Sequence, residues 1–323
     1  MQRPGPEPTR QRRRRSRLPV IAVALLALMG VVLAACGSDS KSSGSSSSTV
    51  PNGPKITLGA QDFPESVVLS AVYSQAFQNA GYNSGVQELG GYRDLLYGAF
   101  ATGDVNFAVE YAASMYNYLA KPDSPAGTDV TANVEGATPL LQAKGITIAE
   151  PSDAIDTNAF VMTKARSEEL GITSLSDLAA KGSSLKLGGP SDCETNAFCI
   201  PGLQRAYGLN MSSNFVALDS GVADALAGNQ FDVGVLFSTD PPVTDDKFVV
   251  LKDDKAMLAA DNIVPVMSQS LVDAYGEDFV ALVNKVSAAL TTENVAAMNK
   301  AYIVDREDAS AIASKFLADN GLD

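Results

Sequence analysis

One structural unit is written into this chain twice. Tyr92-Arg93-Asp94-Leu95-Leu96-Tyr97-Gly98-Ala99-Phe100-Ala101-Thr102-Gly103 leads into Asp104-Val105-Asn106-Phe107-Ala108-Val109. Its counterpart is Gly221-Val222-Ala223-Asp224-Ala225-Leu226-Ala227-Gly228, followed by Gln230-Phe231-Asp232-Val233-Gly234-Val235-Leu236-Phe237. Each reads as a helix, a glycine turn and a strand that carries an acidic or amide residue. A second pair repeats the layout in the other order. A strand over 55–60 passes through a polar loop, 61–66, into a helix over 67–77 that Gly81 ends. A strand over 185–190 passes through a polar loop, 191–199, into a helix over 201–208 with Pro201 at its start. Strands and helices in alternation define α/β architecture, and doubling of the unit points to two lobes, although so loose a likeness also arises among unrelated α/β chains. In open α/β sheets ligands lie beyond the carboxyl ends of the strands. The loops to watch are therefore 61–66, 110–116, 192–198 and 237–240. Helices over 268–275, 276–290 and 294–316 close the chain, after a return crossing at 262–266.

The N-terminus has a different character. Arg12 to Arg15 precede an apolar run over 20–33, which ends in Leu33-Ala34-Ala35-Cys36. A basic start, an apolar middle and small residues at the end make a secretory signal over 1–35. A cysteine at the cleavage point resembles a bacterial lipobox, in which Cys36 is lipidated and becomes the mature N-terminus. The alternatives are an ordinary signal peptide, or a short membrane anchor with Cys36 incidental. Residues 36–53 are rich in glycine and serine, the composition of a flexible tether. The expected location is the outer face of the cytoplasmic membrane, on a lipid anchor.

About 270 residues remain for folding, enough for two modest α/β lobes with real cores. The full chain has a formal charge of −13, but its first 35 residues hold seven arginines and one glutamate. The rest therefore carries 17 basic against 36 acidic residues, about −19. That excess argues against nucleic acid as a partner and against adsorption to anionic lipid. There is no histidine, which removes the commonest general base and metal ligand and excludes Ser-His-Asp and Cys-His catalysis. No phosphate loop, nucleophile elbow or metal-ligand cluster is present, so neither a cofactor nor a resident metal is expected. Beyond Cys36 the chain holds only Cys193 and Cys199. In an exported protein a close pair of this kind reads as a disulfide, with two free thiols or soft-metal ligands as the alternative.

Five motifs in register carry a family resemblance. They are Gly59-Ala60-Gln61-Asp62-Phe63-Pro64-Glu65-Ser66; Gly103-Asp104-Val105 with Glu110-Tyr111; Pro201-Gly202-Leu203 with Tyr207-Gly208; Phe237-Ser238-Thr239-Asp240; and Leu251-Lys252-Asp253-Asp254-Lys255. Behind a lipobox-like leader, this order resembles the substrate-binding lipoproteins of osmoprotectant ABC importers, the glycine betaine/carnitine/choline-binding group. The resemblance runs from Lys55 to the C-terminus. It implies a two-lobed Venus-flytrap fold with two hinge crossings. The first lobe would hold residues 54–155 and 262–323, and the second 156–261. It further implies a protein that traps a small solute between the lobes, docks on a permease served by cytoplasmic ATPases, and performs no covalent chemistry. The alternative function is an extracytoplasmic sensor, or a binder of another small polar solute that has lost betaine recognition.

A quaternary ammonium has no hydrogen to donate, so it is held by the negative faces of aromatic rings, each worth about 0.5–2 kcal/mol when desolvated. Phe63, Tyr92, Tyr97, Tyr111, Tyr116, Phe160, Phe198 and Phe237 lie on or near the candidate loops. Any one of them taken alone is as readily a core residue. The resemblance singles out Tyr111, Phe160 and Phe237 as cleft residues, with Phe63 and Tyr92 as further ring candidates. Asp156 and Asn158 stand at the first crossing, as polar contacts or turn caps. Ser238 and Thr239 follow a strand end and suit a ligand hydroxyl or carboxylate. Where related chains present a lysine in the first loop and an arginine before Pro-Gly-Leu, this chain has Gln61 and Asn196. Asp219 to Leu226 also lacks a customary aromatic. Loss of both cations weakens the case for gripping a carboxylate and tilts the expected ligand from glycine betaine towards choline.

Overall fold

The structure, a computed structural model, describes residues 53–121, 123, 126–218 and 221–323. The expected secretory signal over 1–35, Cys36 and the expected tether before Gly53 lie outside the described residues. From Ile56 the chain runs β1 (Ile56–Ala60), α1 (Pro64–Asn79), β2 (Ser84–Glu88), α2 (Arg93–Thr102), β3 (Phe107–Tyr111), α3 (Ala112–Leu119), α4 (Val130–Gln142) and β4 (Ile146–Ile148). It then crosses over and continues through β5 (Asn158–Thr163), α5 (Lys164–Leu170), α6 (Leu175–Lys181), β6 (Leu187–Gly189), α7 (Ile200–Tyr207), β7 (Phe215–Ala217), α8 (Val222–Ala227), β8 (Val233–Phe237) and β9 (Phe248–Val250). A return crossing delivers β10 (Ile263–Ser268), α9 (Gln269–Ser287), α10 (Thr292–Ile303) and α11 (Ala309–Asp319).

These strands form two five-stranded sheets, ordered β2-β1-β3-β10-β4 and β7-β6-β8-β5-β9. The doubling read in the sequence persists in the topology. β1 lies parallel between β2 and β3, and β6 lies parallel between β7 and β8. Each sheet then receives one antiparallel strand brought in by a crossing, β10 beside β3 and β5 beside β8. The crossings themselves run side by side. Ile155 and Asn262 form an antiparallel bridge, Asp156 N–H donates to Asp261 O at 3.1 Å, and Ile263 N–H donates to Ala154 O at 2.9 Å. Two lobes joined by a paired hinge is the fold that the sequence led one to expect.

Each lobe has its own apolar core. In the first, α1 and the later helices close over the sheet, and Phe77 meets Phe107 and Phe279 with ring centroids 5.1 and 5.0 Å away. Phe77 is fully buried, so Phe77→Ala is expected to cost about 3–5 kcal/mol of stability, the usual toll of a large aromatic lost from a core. Chemical denaturation measures it; a loss below about 1 kcal/mol would mean that this core is loosely packed.

The C-terminal helices differ from expectation at one point. The kink at Gly276, with φ +73°, divides α9 where the sequence divided 268–275 from 276–290. The single helix expected over 294–316 is instead two, α10 and α11. Arg306 sits in the left-handed region at φ +61°, and Asp308 restarts the helix by accepting from Ser310 N–H at 2.8 Å. Among the described residues no helix is long and apolar enough to cross a membrane.

Candidate ligand-binding site

The carboxyl ends of β1, β3 and β8 bring a set of polar groups to the line where the lobes meet. Pro64 opens α1, and a proline at the first helical position places Glu65 in the first turn. There a carboxylate is favoured by the helix N-terminus, yet its side chain turns inward and only 6 % of it is exposed. Tyr111, the last residue of β3, donates its hydroxyl to Glu65 Oε1 at 2.6 Å. Asn299, on α10, donates through Nδ2 to Glu65 Oε2 at 2.6 Å and to the Thr239 carbonyl at 3.0 Å. Thr239 belongs to the turn after β8, so this one amide ties the lobes together. The Thr239 hydroxyl donates in turn to Asp156 Oδ1 at 2.9 Å. Ser238 is spent on the hinge, donating to Ile155 O at 2.8 Å and accepting from Thr157 N–H at 3.0 Å.

A third carboxylate closes the group from the return crossing. Asp261 accepts the backbone N–H groups of Ala113 and Ser114, both at 2.9 Å, and the Ser114 hydroxyl. It thereby satisfies the first turn of α3. Behind Tyr111, Glu110 is fully buried and paired with Arg93, whose Nη2 lies 2.9 Å from Oε2.

The electrostatics follow from this crowding. Burial raises the Asp156 carboxyl well above its usual range, and the negative charges of Glu65, Asp261 and Asp240 push the same way against the Thr239 bond. Burial likewise raises Asp240, helped by Glu65. It raises Asp261 too, opposed by the Ser114 bonds and by Arg93. The Tyr111 phenol is raised by burial and then by Glu65 and Asp156. A site that holds carboxylates against their preference is one that a cation relieves.

The pH consequence has a definite sign. A carboxyl with a raised folded pKa binds its proton more tightly in the folded chain than in the unfolded one. Stability therefore falls as pH rises from the ordinary value near 3.8 through the raised value. The empty protein is expected to gain thermal stability as pH is lowered from neutral towards the ordinary carboxylate value near 3.8. A cationic ligand needs the ionised form, so its affinity is expected to fall over the same interval. A melting series across pH, with and without ligand, checks both directions.

The residues read from the sequence fall into three groups. Tyr111, Asp156 and Thr239 meet in the polar group just described. Phe63 stands beside them, its ring 6.0 Å from that of Tyr111. Gln61 lies nearby in sequence at the end of β1, 2 % exposed, and its Nε2 has no hydrogen-bond partner. Asn158 and Asn196 are committed to the loop before α7. Asn158 Nδ2 donates to Phe198 O at 3.2 Å, while Asn196 accepts from Phe198 N–H at 2.9 Å and donates to Asp192. Cys193 and Cys199 are joined as a disulfide that brackets this loop, with Cα atoms 5.1 Å apart.

The candidate rings differ in burial. Phe160 is 1 % exposed and packed in the core of the second lobe. Side chains alternate across a strand, and on β5 the face of Phe160 and Met162 is the one covered by α6 and α7. Phe237 ends β8 at 44 % exposure, and Tyr92 precedes α2 at 65 % exposure. Tyr111 belongs to the first lobe's core except for its buried hydroxyl. Phe237 pairs with Asn158 across the β8–β5 ladder, on the face that also carries Phe160. The sequence reading also passed over Glu65, Asn299 and Asp261. Glu65 lay inside a loop already marked; Asn299 sits within a helix and offers no local signal. Among the described residues no group of His, Cys, Asp and Glu has the geometry to hold a metal.

Two cavities border the hinge region. One, of about 370 Å³, is lined by Gly127 and Thr128 from the first lobe and by Phe198, Arg205 and Met257. Its walls are tied to the polar group, since Gly127 O accepts from Ala260 N–H, next to Asp261, and Phe198 O accepts from Asn158. The other, of about 670 Å³, lies between α8, the turn after β8 and α10. It is largely apolar, walled by Val222, Pro241, Phe248 and Ile303, and reaches the polar group only at Asp240.

Two hinged α/β lobes with buried polar groups between them define a two-lobed solute-binding protein. The chain belongs to the family described as the substrate binding domain of ABC-type glycine betaine transport systems, whose model matches residues 54–319. A glycine-betaine-binding protein of Pseudomonas aeruginosa is 26 % identical over 284 residues, covering 83 % of this chain and 88 % of the relative. Among solved structures, a glycine betaine/carnitine/choline ABC transporter protein superposes with a TM-score of 0.73 at 20 % identity, over 83 % of this chain and 99 % of that one. Apo YehZ from Escherichia coli superposes at 0.67 with 19 % identity, over 84 % and 100 %. These likenesses establish the fold.

Proposed function

We propose that this protein captures a small ammonium-bearing osmolyte of the choline or glycine betaine type between its lobes and delivers it to an ABC permease. It is exported and held at the outer face of the cytoplasmic membrane by a lipid on Cys36. It binds without covalent chemistry and is not an enzyme. The observation that carries this reading is the carboxylate group around Tyr111, which bridges both lobes in a chain of the betaine-transport family. Asp156, Asp240 and Asp261 are all held above their ordinary titration range there, and a bound cation relieves that strain. The names of the relatives support the same ligand class. Gln61 and Asn196, uncharged where the family resemblance implies cations, support choline over glycine betaine.

Calorimetric titration of the purified protein with choline, glycine betaine, carnitine and proline betaine tests the proposal. At least one is expected to bind saturably and unchanged, with choline the tighter of the first two. A folded protein silent to all four contradicts the ligand class. Metabolic labelling with a fatty acid tests the anchor, and Cys36→Ser is expected to abolish incorporation.

A further inference from the structure

Outside the paired crossings, the lobes are tied through the side-chain amide of Asn299. This residue sits on α10 of the first lobe, buried, and its Nδ2 donates across to the Thr239 carbonyl in the turn after β8, at 3.0 Å. The same Nδ2 donates to Glu65 Oε2 at 2.6 Å, while the Tyr111 hydroxyl holds Glu65 Oε1 at 2.6 Å. Glu65 and Tyr111, both of the first lobe, thus fix the direction of one amide, and it points at the second lobe. A flip would set its oxygen against two acceptors, so the amide has one usable orientation. Neither cavity at the hinge is lined by Glu65 or Asn299. Their contacts are with each other and with the facing lobe.

This contact differs in kind from the crossings. An N–H···O bond is lost beyond about 3.2 Å, so a small rotation of the second lobe away from α10 breaks it, while the covalently continuous crossings persist. Apolar packing does little to replace it. One turn further along α10, Ile303 and the exposed Val304 face Val222 and Pro241 across an open groove of about 670 Å³. The amide also separates two acceptors, one from each lobe. Without its two N–H groups, the Glu65 carboxylate and the Thr239 carbonyl would face one another buried and unpaired, which is costly. We infer that Asn299 is an interlobe latch: aimed by Glu65, it holds the solute-free protein in the arrangement described here, and breaking its bond to Thr239 lets the lobes swing apart about the crossings. The inference requires only the two-lobed fold and not the solute proposed above.

Small-angle X-ray scattering of the intact, solute-free protein tests it. The parent's profile is expected to match the present structure. Asn299→Leu has a similar branched shape and no donor, and is expected to shift the ratio of parted to tied lobes by about tenfold. That shift appears as a larger radius of gyration and maximum dimension, with helix content by circular dichroism unchanged. Glu65→Gln keeps an oxygen for the Asn299 amide and turns its own amide towards the Tyr111 oxygen, so the parent's dimensions are expected. Glu65→Ala frees the Asn299 amide to turn and is expected to part the lobes as Asn299→Leu does; it decides the matter should Asn299→Leu fold poorly. A parent already parted, or an Asn299→Leu variant with the parent's dimensions, overturns the inference. Parting in Glu65→Gln as wide as in Glu65→Ala assigns the effect to charge and overturns it as well.

Discussion

Asp156→Asn is expected to weaken capture of a choline-type cation by about thirtyfold or more, the largest effect of any single substitution on binding. The side chain keeps its shape, and its oxygen can still accept the Thr239 hydroxyl that now bonds Asp156 Oδ1 at 2.9 Å. Only the charge is lost. At about 4 Å and an effective dielectric near 20, a carboxylate attracts a unit cation by roughly 4 kcal/mol, whereas one aromatic face contributes about 0.5–2 kcal/mol. Some of that attraction is spent in expelling the proton that burial and Glu65 help Asp156 to hold. About 2 kcal/mol remains, which is the thirtyfold stated. Titration at higher pH, where less proton must be displaced, is expected to widen the difference between the parent protein and the Asp156→Asn variant. A variant that binds as tightly as the parent would place the cation elsewhere.

Arg93→Ala is expected to be the most damaging change to stability at the site, costing about 3 kcal/mol. Its guanidinium grips Glu110 through Nε and Nη2 at distances from 2.9 to 3.2 Å. Glu110 is completely buried in β3, beside Val264 of β10 in the first sheet. Without Arg93 a charged carboxylate would be stranded in the core, and breaking such a pair from one side typically costs about 3–5 kcal/mol. The arginine is itself about a quarter exposed, so water replaces part of its contribution and the lower end applies. The double change Arg93→Met with Glu110→Gln is expected to recover more than half of the loss, because it removes the stranded charge as well. Urea denaturation of the two variants decides it. A single variant as stable as the parent would show that water reaches Glu110 unaided.

The fold was legible because its signals are local. The glycine turn at Gly103, with φ +79°, lies between a short amphipathic helix and a strand, and Pro64 and Pro201 stand at helix starts. Repeating those signals forecast two lobes. The missed break between α10 and α11 hangs on Asp308, whose capping role was hidden among neighbouring charges. The site was less legible, since its members come from segments far apart in sequence. Glu65 and Asn299 are separated by 234 positions and meet only because α10 packs back on α1. The burial of Phe160 among core residues was not legible for a related reason. A ring at the start of a strand faces ligand or core according to which face the distant helices cover.

The central claim is that charge, more than shape, draws the solute between the lobes. Calorimetry with choline and with 3,3-dimethylbutan-1-ol, its uncharged carbon counterpart, separates the two most directly. The account predicts measurable binding of choline and at least about a hundredfold weaker binding of the neutral alcohol. Equal affinities, or binding of the neutral alcohol alone, would contradict it.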